Sequence, residues 1–226
     1  MAARGDQLFL LGRAVDDLEL SARDLEIRGA SGRVKTAFCD LLQADGFAAA
    51  LDRADRELQG FDAVVVTAGL FAPQEELEND PQRTARLLTA DFTGTVLFCE
   101  EARKRLLSAG RGTLCVFSSV AGERGRKPVI LYGAAKAGLS RYLEGLDHKF
   151  HAQGLSVVCV KPGFVQTGMT AGLKRPPFAG TSEAVARRVL TAIDHGWPEV
   201  YAPPMWRWVM WTIRKLPRFV MRRIGF

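Results

Sequence analysis

Short apolar runs alternate along this chain with longer stretches of helical periodicity, and that alternation limits what it can fold into. The runs are Gln7–Leu11, Arg33–Phe38, Ala63–Val66, Thr113–Phe117, Ser156–Val160 and Glu199–Ala202. Between them, apolar residues recur at helical spacing over 15–29, 46–59, 83–108, 129–153 and 182–195. Parallel strands need long crossovers, usually helices, so the pattern predicts a parallel sheet. Runs such as VVV and LCVF are apolar on both faces, as a sheet covered on both sides requires. The expected fold class is α/β, doubly wound. A chain of 226 residues can bury one large two-sided core, and it contains no internal repeat or linker. The domain is expected over residues 1–204, with 205–226 as a basic, tryptophan-rich end.

The formal charge is +6. Six basic residues lie in the last 26 positions: Arg207, Arg214, Lys215, Arg218, Arg222 and Arg223. No acidic residue accompanies them, and the first 200 residues carry 25 of each sign. The body therefore has no net basic surface, which argues against a nucleic-acid partner. Trp206, Val209, Met210 and Ile213 fall on one helical face, with arginines on another, until Pro217 breaks the pattern. This end reads as an interfacial anchor giving peripheral membrane contact, or as a helix packed on a partner subunit. No signal peptide is recognised, and no run approaches the roughly 20 apolar residues needed to span a bilayer. Cys39, Cys99, Cys115 and Cys159 are widely spaced within apolar runs, without a CxxC. They read as buried thiols in a reducing, cytoplasmic compartment or at the inner face of the membrane. His148 and His151 lack a third ligand nearby in sequence, so no metal site is expected.

Ligands of doubly wound sheets bind beyond the carboxyl ends of the strands. Gly12-Arg13, Asp40-Leu41, Thr67-Ala68-Gly69, Ser118-Ser119 and Lys161-Pro162-Gly163 stand at those ends. Tyr132 and Lys136, in YGAAK, project from one face of a predicted helix, one turn apart. A neighbouring ammonium favours phenolate, which would lower the tyrosine pKa and suit it to proton transfer near neutral pH. Ser119, 13 residues upstream, could bring a hydroxyl to the same point. Small residues at 133–135 would let a ligand approach closely. Taken alone, a Tyr/Lys pair at this spacing is equally an ordinary helix surface.

FSSVAG, YGAAK, KPGFVQT, the VTAG turn, FCD and LLGR together resemble the short-chain dehydrogenase/reductase superfamily over essentially the whole chain. The resemblance implies a single Rossmann-like domain and hydride transfer between a nicotinamide and a carbonyl or alcohol. It implies Tyr132 as general acid/base, Lys136 as the residue that holds the nicotinamide ribose and tunes Tyr132, and Ser119 as donor to the substrate oxygen. Pro162, Gly163, Val165 and Thr167 would shape the nicotinamide pocket. Asp40, with Leu41 beside it, matches the adenine-contacting acid, or else caps a helix. Ala68 and Gly69 are what VTAG keeps of the usual turn. Arg13 stands where the family meets the adenosine ribose; a guanidinium there favours NADP(H) over NAD(H), or else is a solvated arginine in a turn. The family also forms dimers or tetramers on its two long helices, so a homo-oligomer is expected.

Two departures accompany the match. Asp91, in TADFTG, takes the place of a catalytic asparagine, which alters any proton relay or leaves a carboxylate with no role. The family's opening strand and GxxxGxG turn, which cradle the pyrophosphate, have no counterpart; by the resemblance, roughly 25 residues of a first β-α unit are expected before LFLLGR and are absent. Gly110-Arg111-Gly112 is the one G-x-G, and it precedes a strand. The late loop and tail are similar to decaprenylphosphoryl-2-keto-ribose reductases, implying a hydrophobic or lipid-linked carbonyl substrate. Met169, Leu173 and Phe178 read as an apolar lid or as loop residues packed on the core. The rival reading is a scaffold unable to hold cofactor.

Overall fold

The computed structural model describes residues 1–168 and 178–225. β1 (Phe9–Gly12) leads into α1 (Val15–Ile27), whose first turn places Asp16 and Asp17 at the positive end of the helix dipole. β2 (Lys35–Phe38), α2 (Phe47–Leu58) and β3 (Ala63–Val66) follow. α3 (Gln74–Asn79) precedes α4 (Pro81–Leu88), which begins on a proline with Asp80 accepting from the Arg83 N–H at 2.9 Å. A π-helical stretch, Thr89–Gly94, carries α4 directly into α5 (Thr95–Ser108). β4 (Gly112–Phe117), α6 (Ile130–Phe150) and β5 (Leu155–Pro162) form the centre. The two-residue β6 (Val165–Gln166) and β7 (Gly180–Thr181) pair with each other. α7 (Ser182–His195), β8 (Glu199–Ala202), α8 (Trp206–Lys215) and α9 (Arg218–Arg223) complete the described chain.

Every strand pairing described is parallel, as the alternation predicts. β4 shows why a two-sided core follows from its sequence. Leu114 and Val116 enter a cluster with Phe47, Leu51, Leu139 and Leu143, from α2 and α6. Cys115, one residue out of phase, enters a second cluster with Val185, Val189 and Val200 on the α7 side.

The sheet is not continuous. β3-β4-β5-β8 form one part and β1-β2 another. β1 and β3 are thus edge strands, and both line a single cavity of about 380 Å³. The break falls between the strand that LFLLGR forms and Ala63–Val66.

The tail departs from its expected orientation. Met210 and Ile213 of α8 are buried with Val120 and Tyr201, and Trp206 and Val209 pack on the same cluster. The face expected to meet a membrane or a partner is used against the domain itself. Among the described residues, no helix is long and apolar enough to cross a membrane.

Candidate active site

Ser119 lies two residues beyond the end of β4. Its Oγ accepts the Ala121 N–H at 3.1 Å and caps a short turn, Val120–Glu123. That turn lies against α6 with no room for a side chain between them. A Cβ on Gly122 would sit 2.6 Å from the Ala137 nitrogen, and one on Gly133 2.8 Å from the Ala121 carbonyl oxygen. The small residue at 133 therefore admits the serine turn rather than a ligand, and Ala135 is core, which corrects the expectation at those two positions; Ala134 is exposed. Ser118 ties the same junction. Its Oγ donates to the Lys136 carbonyl at 2.9 Å and lies 2.7 Å from the Ser140 Oγ.

Tyr132 meets Phe71 edge-on, with ring centres 5.3 Å apart. Burial, with the Asp91 charge adding to it, pushes its pKa up to about 12, against an opposing hydrogen bond with Ser119. The expected lowering by Lys136 is not found. The Lys136 Nζ is 5.7 Å from the Tyr132 ring centre. It donates instead to the Phe117 carbonyl at 3.3 Å and lies 3.8 Å from the Asp91 Oδ2. Its charge lies nearer to a carboxylate than to the Tyr132 ring.

Asp91 is fully buried on the π-helical stretch, a distortion often found at functional sites. Its Oδ1 accepts the Leu70 N–H at 2.6 Å. Burial raises its pKa, partly offset by Lys136 and that N–H. Burial lowers the Lys136 pKa, opposed by Asp91 and Cys159. Gly69 borders this pair: a Cβ there would stand 3.0 Å from the Asp91 Oδ1 and 3.3 Å from the Lys136 Nζ.

Gly69 also lines the cavity, together with Arg13, Asp40, Leu41 and Ala68. Five of the expected cofactor positions thus share one cavity, which runs the length of β1 and β3 from Phe9 and Ala63 to the carboxyl ends where these five stand. Arg13 is exposed at its rim. The Asp40 Oδ1 accepts the Leu42 N–H at 3.0 Å, so the carboxylate closes a turn and leaves its second oxygen for other use.

The nicotinamide-side residues are not brought to this cavity. Pro162 ends β5, and the Gly163 N–H donates to the Ala202 carbonyl at 3.1 Å. The Trp206 indole covers Gly163 so closely that a Cβ would be 2.1 Å from its Nε1. Val165 lies in β6, and Thr167 follows it. Met169 and Leu173 lie outside the described residues. Phe178 is exposed, and its carbonyl accepts the Trp206 Nε1–H at 3.2 Å. Gly110-Arg111-Gly112 stands at the opposite end of β4 from Ser119.

Sequence reasoning missed a buried polar cluster beside the site. Lys161 is 6% exposed inside β5. It bonds to Glu123 at 2.6 Å and to Glu199, while the Tyr201 hydroxyl donates to Glu123 at 2.9 Å. Burial pulls the Lys161 pKa down, but these two carboxylates outweigh it and the net direction is up. A lone lysine in the apolar run LSVVCVKP was the available signal.

The model of the short chain dehydrogenase family matches residues 1–177. An uncharacterized oxidoreductase of Mycobacterium tuberculosis is 34% identical over 223 residues, covering 98% of this chain and 89% of that protein. One from Streptomyces coelicolor is 33% identical, covering 99% and 88%. A cis-4-hydroxycyclohexanecarboxylate dehydrogenase of Sinomonas cyclohexanicum is 31% identical, covering 76% and 69%. A solved short-chain type dehydrogenase/reductase from Mycobacterium ulcerans superposes with a TM-score of 0.80 at 20% identity, covering 88% of this chain and 80% of that one. The chain belongs to the short chain dehydrogenase family.

Proposed function

We propose that this NAD(P)-dependent oxidoreductase interconverts a ketone and a secondary alcohol, prefers NADP(H), and acts on a hydrophobic or lipid-linked carbonyl compound. One juxtaposition carries the reading. Ser119, Tyr132, Lys136 and Asp91 form a buried set that meets, at Gly69, a cavity rimmed by Arg13 and Asp40. A cavity of about 380 Å³ is within the range that binds small molecules and cofactors.

The chain's own groups suit proton transfer to a carbonyl oxygen. With its pKa near 12, Tyr132 holds its proton at neutral pH and is set to donate to a carbonyl oxygen. Ser119, whose Oγ accepts from Ala121 and which hydrogen-bonds with Tyr132, stands beside the phenol and can turn its proton to the same oxygen. Lys136 and Asp91 hold each other in the apolar interior beside them. The nicotinamide, when bound, supplies the hydride. Arg13 suits a 2′-phosphate and Asp40 the adenine end. Phe92, exposed on the stretch joining α4 to α5, and Leu97, exposed on α5, support pairing with a second copy through the long helices.

One observation favours the second reading, a scaffold that cannot hold cofactor as it stands. Between the Arg13 rim and Gly69, the cavity opens between the free edges of β1 and β3, and α1 begins with two aspartates. That offers an anion little of what a glycine-rich turn provides. The gap is also the place a further apolar strand and its turn would fit.

NADPH titration of the 226-residue chain, beside a form extended at its N-terminus by an apolar strand and GxxxGxG turn, decides the matter. The enzyme reading expects the extended form at least to bind NADPH and reduce apolar ketones. Tyr132→Phe should keep binding and lose ~100-fold or more in turnover. Binding by neither form would overturn the enzyme reading; binding by the extended form alone would establish the second reading for residues 1–226.

A further inference from the structure

The structure moves the apolar face of the C-terminal helices to where sequence periodicity did not put it. α8 buries Met210 and Ile213 against the domain. Its other side is also apolar. Met205, Trp208 and Trp211 recur at three-residue spacing along one exposed ridge, 48%, 66% and 49% accessible. Phe219 of α9 is 61% accessible. Large side chains left this bare, in one short segment, mark a surface with a partner.

The same segment holds six exposed cations and no acidic residue. Lys215 sits over the Trp211 ring, its Nζ 3.6 Å from the ring centre. Tryptophan beside lysine and arginine is the composition of a lipid headgroup boundary. A second copy is a poor occupant, because it would bring the same six cations to a symmetric contact, and its remaining 200 residues are charge-balanced.

The helix pair is also tied to the domain. The Arg124 guanidinium donates to the Leu216 carbonyl at 2.7 Å, and the Lys127 Nζ to the Arg222 carbonyl at 2.7 Å. Arg214 lies 3.4 Å from the buried Glu123. All three anchors are on the segment running from Ser119 toward Tyr132. The bare ridge is therefore a fixed face beside the site, not a loose tail.

We propose that the outer face of α8 and α9 is an interfacial anchor for an anionic phospholipid bilayer. The aromatic side chains enter the headgroup boundary, and the cations meet lipid phosphates. The turn at Ser119 is thereby held close to the membrane surface. This inference rests on the helix pair alone and does not depend on the reductase reading.

Co-sedimentation of the full chain with vesicles tests it. Vesicles of phosphatidylcholine mixed with phosphatidylglycerol should bind the protein, with a blue shift of its tryptophan emission. Pure phosphatidylcholine vesicles should bind it at least about tenfold more weakly, and added salt should weaken the anionic case. Trp208→Ser with Trp211→Ser should abolish binding while leaving circular dichroism and NADPH binding unchanged, since both side chains are exposed. Failure to bind anionic vesicles, or equal binding to both kinds, would overturn the proposal. So would a dimer, or single-stranded DNA binding, that the same double variant abolishes while vesicle binding persists. NADPH titration and vesicle binding read different surfaces, so failure of one leaves the other standing.

Discussion

Gly133 governs how closely Ser119 approaches Tyr132, and it shows how a site depends on a missing side chain. Its α-carbon faces the Ala121 carbonyl, so Gly133→Ala forces a Cβ to 2.8 Å from backbone oxygen. Backbone cannot rotate away as a side chain can, so the cost should be about 1–3 kcal/mol, typical of overpacking. Gly145 lies on the same helix with open space around it. Gly145→Ala should therefore stabilise by ~0.5–1 kcal/mol through helix propensity. Thermal unfolding of both variants checks the contrast; equal shifts would show that the serine turn does not press on α6. Ser119, Tyr132, Lys136 and Asp91 are legible from spacing and resemblance. Their electrostatics are not: burial depends on the whole packing, and it turned the Tyr132 shift upward.

At the level of elements, strand and helix positions follow the sequence within a few residues, because period two and period 3.6 are local signals. α3 and the two-residue pair β6–β7 are too short to carry a period, and they are absent from that reading. α8 is a subtler case. Its periodicity identifies an apolar face correctly but cannot say what covers it, since domain, subunit and membrane all accept the same pattern. The break in the sheet has a measurable consequence. β1 is bonded on one side only, to β2, while β4 lies between β3 and β5. Amide hydrogen exchange should proceed through lower-energy openings in Phe9–Gly12 and Lys35–Phe38 than in Gly112–Phe117 and Leu155–Pro162. Uniform protection across both sets would mean that the two parts open as one sheet.

For the whole molecule, the tyrosines report how the elements close on one another. Tyr142 of α6 donates to Glu100 of α5 at 2.7 Å, and Tyr201 of β8 to Glu123 at 2.9 Å. Burial, chiefly, and these carboxylates raise the pKa of both above the ordinary tyrosine value, as burial does for Tyr132. The chain has three tyrosines. The folded protein therefore binds more protons than the unfolded chain above about pH 10, and stability must fall as pH rises through that range. Tyrosinate absorbance should be absent from the folded protein at pH 10 and should appear together with unfolding; a smooth rise near pH 10 in a folded protein would contradict it. The sequence by itself determined the parallel α/β class, the order of strands and crossovers and the residues at the strand ends, because periodicity and motif spacing are local properties of a chain. Only the tertiary structure decided that β1-β2 and β3-β4-β5-β8 stand apart around a cavity, that Lys136 faces Asp91, and that α8 turns Trp208 and Trp211 outward. Each of those depends on contacts between residues far apart in the chain, and hence on desolvation and packing that no single segment encodes.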